Sequence, residues 1–182
     1  MLLVDIARLL IETVAALLGV TLLLRAYMNW IGMPARNPLA QFVFALTDWL
    51  VRPLRRVIPA AGRVDTASLV AAYLIAVLLL VLTFLLIGAG SGVWPWGTVF
   101  VAAFVHLARW VLYLVMWLTI IHVVLSWVNP YAPVAPAMAM LVRPFLAPFQ
   151  RLVPLVGGID LSPVVLIVVV NILLLVVNRS GF

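Results

Sequence analysis

Pro53-Leu54-Arg55-Arg56-Val57-Ile58-Pro59-Ala60-Ala61-Gly62-Arg63-Val64-Asp65 returns, 95 residues later, as Pro148-Phe149-Gln150-Arg151-Leu152-Val153-Pro154-Leu155-Val156-Gly157-Gly158-Ile159-Asp160. Both copies read P-x-x-R-x-x-P-x-x-G-x-x-D, and each runs straight into a long apolar stretch. Upstream of the first copy stand Arg25 and Trp30, five residues apart; upstream of the second stand His122 and Trp127 at the same spacing. The offset there is 97 residues, so the second linker is two residues shorter. A pattern recurring at fixed distance sets the architecture. The chain reads as one helix–linker–helix unit written twice, with a first repeat over 1–90 and a second over 91–182.

Composition says what solvent this unit meets. Of 182 residues, 68% are hydrophobic and 9% charged, against about 45–50% and 25% in ordinary soluble domains. A water-soluble fold of this size could not hide that much apolar surface, so lipid must cover most of it. A membrane helix needs about 20 mostly apolar residues. Four segments satisfy that, roughly 6–31, 66–88, 99–128 and 159–178. None alternates with period two, which argues against strands. The expected fold is an all-α membrane protein with four transmembrane helices, arranged as two parallel helix–linker–helix repeats. A two-span unit returns the chain to its starting side, so the halves point the same way and are not inverted. The opening stretch carries Asp5, Arg8 and Glu12 and is too long for a cleaved signal.

The linkers, about 33 and 31 residues long, exceed idle turns. The first places Leu39, Phe42, Val43, Leu46, Trp49 and Leu50 at helical spacing; the second does so with Met138, Leu141, Val142, Phe145, Leu146 and Phe149. Such amphipathic helices lie in the membrane interface or pack against the spans. In the repeated motif every third position is fixed. A step of three drifts around an α-helix but stays on one face of an extended threefold path, and prolines six apart disfavour a continuous helix. The motif is therefore expected to be a non-helical strap. Gly62 and Gly157 are placed for a positive-φ turn. Asp65 and Asp160 sit where a helix N-cap belongs; alternatively they pair with Arg56 and Arg151, or hold an ion, at a shared site.

Other chemistry is sparse. Asp5, Arg8 and Glu12 fall on one helical face and read as a self-neutralising stripe. His106 and His122 are sixteen residues apart, too far for a common metal site, and there is no cysteine. Nucleotide loops, nucleophile elbows and zinc signatures are missing from the sequence. No cofactor, metal or catalytic residue is expected, and the chain is not expected to be an enzyme. The net charge of +6 comes from 11 arginines against 5 acids. With no basic run on a soluble domain, the arginines are assigned to orientation and lipid headgroups rather than nucleic acid. Seven tryptophans, including Trp94 and Trp96 in the middle connection, fit an interfacial belt.

The Arg25-x4-Trp30 helix end, the polar linker and the P-x-x-R-x-x-P-x-x-G-x-x-D motif ahead of a second helix resemble the YggT family, which includes the YlmG proteins of Gram-positive bacteria, cyanobacteria and plastids. The duplicated form resembles the proteobacterial members over nearly the whole chain. The resemblance implies an integral protein of the bacterial inner membrane with no known reaction, linked to osmotic-stress tolerance and ion homeostasis; the YlmG branch is linked to division, envelope or nucleoid organisation and cytochrome assembly. It carries the family's signature onto Pro53, Arg56, Pro59, Gly62 and Asp65, and onto Pro148, Arg151, Pro154, Gly157 and Asp160. His122 departs from the usual arginine, and Ala67 stands where the second half has Ser162.

The functional expectation is a non-enzymatic factor that organises or assembles membrane partners in envelope or osmotic homeostasis, its partners being lipid, other membrane proteins or further copies of itself. An oligomeric channel or transporter component is the alternative. Linker residues Arg36, Arg52, Arg55, Arg56, Arg63, Arg143 and Arg151 outnumber Arg8, Arg109 and Arg179 on the other side. The positive-inside tendency then places both linkers in the cytoplasm and both termini in the periplasm.

Overall fold

In the computed structural model of the chain, residues 2–86, 96–153 and 160–179 are described. They form six helices: α1 Leu2–Trp30, α2 Pro38–Val57, α3 Thr66–Leu86, α4 Trp96–Val128, α5 Ala135–Gln150 and α6 Ser162–Asn178. Among the described residues the only β-type pairing is an isolated bridge between Ala61 and Val64. Helices α1, α3 and α4 are long and apolar enough to cross a membrane; α6 is apolar but has 17 residues. Two further helices, α2 and α5, occupy the linkers as the hydrophobic spacing predicts.

Local chemistry marks the boundaries. Gly32, at φ 72°, closes α1, and Met33 N–H returns to the Met28 carbonyl at 2.9 Å. Asn37 caps α2 by accepting Leu39 N–H at 2.9 Å, with Pro38 at the first turn, where its missing N–H costs nothing. Past α2, Ala61 and Val64 exchange backbone hydrogen bonds at 3.2 and 3.0 Å around Gly62 and Arg63. Gly62 has φ 61°, the left-handed geometry that a glycine at the first central position of such a turn supplies without strain.

The strap expectation is corrected by these boundaries. Pro53 lies inside α2, with Arg55 and Arg56 in its last turn. Pro148 lies inside α5, as does Pro144. Of the first copy, residues 58–65 lie outside the helices, and the five before them do not. A proline removes one backbone bond and crowds the preceding turn, but α2 buries Ala40, Val43, Thr47 and Val51 along one face, and that packing holds the helix through the proline. The three-residue spacing therefore reflects separate tasks in a line, namely helix end, turn and cap, and not one shared face. Pro154 and Gly157 lie outside the described residues.

Helix α1 packs most extensively on α3 and also touches α2 and α4; α4 in turn packs on α3, α5 and α6. Small residues set these distances. Helix α3 buries Ala67, Ala71, Ala72 and Ala76 almost completely, which lets backbones approach closely, as in membrane helix pairs. In α1, Gly19 leaves room for the indole of Trp110 from α4, and a Cβ at Gly19 would overlap that ring. The outside is apolar: Leu9 and Leu17 of α1, Leu78 and Leu85 of α3, Phe104 and Trp117 of α4, and Val168 and Ile172 of α6 are all exposed, which suits a lipid solvent. Helix α2 is apolar twice over, exposing Phe42, Leu46 and Trp49 opposite its buried face.

The acidic stripe near the start of α1 is only partly made. Arg8 Nε and Glu12 Oε1 pair at 2.7 Å, about half exposed, whereas Asp5 enters no ion pair among the described residues.

Candidate functional site

The polar chemistry of the first half converges where α1, α2 and α3 meet. Arg25, near the end of α1, is 4% exposed. Its Nη1 donates to Thr47 Oγ1 at 2.7 Å and to Asp48 Oδ1 at 2.8 Å, both on α2. Its Nε lies 3.6 Å from Asp65 Oδ2, ahead of α3, and its guanidinium carbon sits 4.9 Å from the Phe44 ring centre. An unpaired cation at this depth would cost several kcal/mol. Two carboxylates, one hydroxyl and one aromatic face meet it instead.

Asp65 is the other pole, 1% exposed. Its Oδ2 accepts from Arg55 Nη2 at 2.6 Å and from Ser68 Oγ at 2.8 Å; its Oδ1 accepts from Ser68 N–H at 3.3 Å. It is thus both a cap on α3 and an ion-pair partner, the two roles the sequence left as alternatives. Burial pushes the carboxyl pKa up, but the Arg55 hydrogen bond, the two from Ser68 and the Arg55 charge outweigh it and hold the group below the usual carboxylate range. Asp48 behaves alike: burial opposes the charge, and Arg25 and Arg52 stabilise it more. Arg52 Nη2 reaches Asp48 Oδ2 at 2.7 Å from an exposed position.

The expected partner of Asp65 is corrected here. Arg55, not Arg56, makes the bond, because near a helix end one residue is a rotation of about 100°; Arg56 points outward and is exposed. Thr47, Asp48, Arg55 and Ser68 were not singled out from the sequence. The available signal was Asp48, a lone acid in an arginine-rich linker, with Arg52 four residues on. Pro59 contributes its carbonyl, which accepts from Thr66 Oγ1 at 2.8 Å. Trp30 lies at the end of α1, its ring 6.0 Å from that of Tyr27.

In the second half, Asp160 again precedes an apolar helix, and its Oδ1 accepts Ser162 N–H at 2.8 Å. Gln150 replaces Arg55 in register and donates to Asp160 Oδ2 at 2.8 Å. Arg143 falls in register with Asp48 and is exposed, as is Arg151, which closes α5. Hydrogen bonds from Ser162 and then Gln150 hold the Asp160 carboxyl low against its burial. His122 takes the place of Arg25, and the imidazole and Asp160 line one cleft of about 500 Å³ with Ser126 and Trp127. Trp127 is 75% exposed.

The halves meet mainly where α4 packs on α3 and α1, and Tyr27 adds a contact from α1 to α5: its Oη donates to the Leu141 carbonyl at 2.7 Å, and its ring lies 5.3 Å from Phe145. Beside that contact runs an apolar groove of about 290 Å³, lined by Leu23, Ala26, Tyr27, Leu114, Leu118 and Phe145 among others. Among the described residues no three His, Cys, Asp or Glu side chains gather as a metal site would require.

Comparison with known proteins places the sequence. The sequence model of the CCB3/YggT family matches residues 4–86 and 101–180. The chain is 35% identical over 172 residues to "Uncharacterized protein YggT" of Escherichia coli (strain K12), covering 94% of this chain and 86% of that protein. It is also 35% identical over 172 residues to "Uncharacterized protein PA0392" of Pseudomonas aeruginosa, covering 93% and 87%. With "Uncharacterized protein in proC 3'region" of Vibrio alginolyticus it shares 33% over 165 residues, covering 87% and 86%. No solved structure matches. Motif, helical architecture and full-length similarity agree: the chain belongs to the CCB3/YggT family.

Proposed function

We propose that this protein is a four-span inner-membrane scaffold, built as two parallel repeats over 1–90 and 91–182, that organises membrane partners in envelope and osmotic homeostasis and performs no chemistry of its own. Its linkers face the cytoplasm and its termini the periplasm. The fourth span is α6: 17 residues rise about 25 Å, which crosses a core of roughly 30 Å with slight local thinning. Asp160 and Arg179 then sit at its two borders.

The observation that carries the reading is the use of charge. Arg25, Asp48, Arg55 and Asp65 are spent on one another at the junction of three helices. That arrangement favours a fixed frame. A conduction path needs polar groups facing a lumen, and the outer faces of α3, α4 and α6 offer mainly leucine, valine and aromatic side chains to their surroundings. An ion crossing between such walls would meet a dehydration cost of at least several kcal/mol.

The test is reconstitution of the pure protein in liposomes alongside complementation of a deletion strain under salt stress. The scaffold reading expects no ion flux above empty vesicles, together with rescue in cells and co-purifying membrane proteins. Reproducible single-channel currents from pure protein, lost on changing Asp65 or Asp160, would replace it with the channel reading.

A further inference from the structure

The two aspartates differ in what stands opposite them. Facing Asp65 is the guanidinium of Arg25, with Arg55 completing the charge balance. Facing Asp160 is His122, whose side chain is shorter in reach, and the bond from Arg55 is replaced by one from neutral Gln150. The carboxylate is kept, its bond from an amide at the helix start is kept, and the internal cation is gone. Where the first half is filled, the second has an open cleft of about 500 Å³ between the last turns of α4 and the start of α6.

The walls of that cleft say what would enter it. His122, Ser126 and Trp127 come from α4, and Asp160, Leu161 and Val164 from the start of α6. Val164 is exposed and begins an apolar strip that continues through Val168 and Ile172 at four-residue spacing, both also exposed. A polar cleft at the helix border with an apolar strip below it has the layout of a phospholipid: headgroup above, acyl chain along the helix.

We propose that this cleft is a lipid site that selects a primary-ammonium phospholipid headgroup, with Asp160 as its counter-ion. The ammonium supplies the charge that Arg25 supplies to Asp65. A primary ammonium has three N–H donors and a quaternary one has none, so a carboxylate acceptor separates ethanolamine from choline headgroups. The neighbouring phosphate finds the Ser126 hydroxyl and a His122 ring N–H, and the exposed Trp127 indole lies where tryptophans favour the headgroup layer. The bilayer supplies this occupant at high local concentration and along the strip itself, which favours lipid over an arginine of a partner protein. The inference uses the correspondence of the two halves and is independent of whether the protein conducts or scaffolds.

The test is native mass spectrometry of the full-length protein in mild detergent, titrated with phosphatidylethanolamine, phosphatidylcholine or phosphatidylglycerol of matched chains. The expected result is ethanolamine-lipid binding stronger than choline-lipid binding by roughly three- to fivefold, the scale of one partly exposed ion pair. Asp160→Asn keeps a capping side chain and should erase that preference. His122→Arg restores an internal guanidinium and should also erase it, while raising the melting temperature. Circular dichroism of each variant confirms that the helices are intact. Equal binding of the three lipids, preference for phosphatidylglycerol, or an ethanolamine preference that survives both substitutions would overturn the proposal. So would a protein that co-purifies with wild type and is lost in Asp160→Asn with no lipid preference, which would assign the cleft to a partner's cation.

Discussion

Asp65 and Asp160 hold the same position ahead of an apolar helix, yet their surroundings diverge. Around Asp65 the chain has gathered Arg25, Thr47, Asp48, Arg55 and Ser68 into one connected set of ion pairs and hydrogen bonds, buried at Arg25, Thr47, Asp65 and Ser68 and open to solvent at Arg55. Around Asp160 the same register offers His122, Val142, Arg143, Gln150 and Pro163, with Ser162 one place earlier where the first half has Ala67, and a cleft remains. One motif thus serves as a lock in one half and as an open polar mouth in the other. The difference teaches that the motif residues fix where a carboxylate sits, while residues outside the motif decide what the carboxylate does. Arg25 and Arg55 tie α1 and α2 to the head of α3; in the second half Gln150 ties α5 to the head of α6.

The largest effect should come from removing the cation of the lock. Arg25→Met takes the buried shared cation from Asp48 and Asp65 and leaves each with a single, more exposed arginine, Arg52 and Arg55 respectively; breaking a buried pair costs about 3–5 kcal/mol. Thermal unfolding in detergent should show a large drop in melting temperature. The matching change His122→Met should cost much less, and equal losses would erase the contrast between the halves.

Next in size is the seam between the halves. Gly19→Ala drives a methyl group into Trp110, and overpacking of this kind costs about 1–3 kcal/mol. Gly19→Ala combined with Trp110→Phe should recover part of the loss, which a double-mutant cycle reads directly. Unchanged stability on Gly19→Ala would mean that α1 and α4 are not in contact there.

A smaller, pH-dependent effect separates the two aspartates. The folded-state pKa of Asp65 is depressed below the ordinary aspartate value of 3.8, so the stability it contributes is present above that value and is lost as pH falls through the folded pKa. Asp160 is depressed as well, but at a more exposed site where solvent screens the interaction. Melting temperature should therefore fall steeply below about pH 4. Asp65→Asn should flatten that acid limb more than Asp160→Asn. An acid limb insensitive to both would remove the charge from the account.

How much of this was legible in the sequence follows from range. Helix extents came through because apolar runs and linker periodicity are local: Trp96–Val128 against an expected 99–128, and Pro38–Val57 inside the first linker. The cap at Asp65 and the turn at Gly62 were legible because each depends on a few adjacent residues; Asp160 instead precedes Leu161, the residue that caps α6, and accepts only the Ser162 amide at the helix start. The helical course through Pro53 and Pro148 was not, since tertiary packing of the buried α2 and α5 faces overrides the proline penalty. Nor was the choice of Arg55 over Arg56, which one helical rotation decides. Arg25 was marked by its place in the repeat, but its contacts with Thr47 and Asp48 are 22 and 23 residues away and depend on how α2 lies against α1. The cleft at His122 and Asp160 follows from what the second half lacks, and a missing side chain leaves no motif.

The most direct measurement compares Asp65→Asn with Asp160→Asn, each as the single change, by thermal unfolding at neutral pH in one detergent. Asparagine accepts a backbone amide at a helix start nearly as well as aspartate, so the amide bonds to Asp65 and Asp160 cancel and the ion pair is what is read. The account predicts a loss of roughly 2–3 kcal/mol at Asp65, where charged hydrogen bonds are buried, against less than about 1 kcal/mol at Asp160. Losses of equal size, or a larger one at Asp160, would contradict the division into a closed half and an open half.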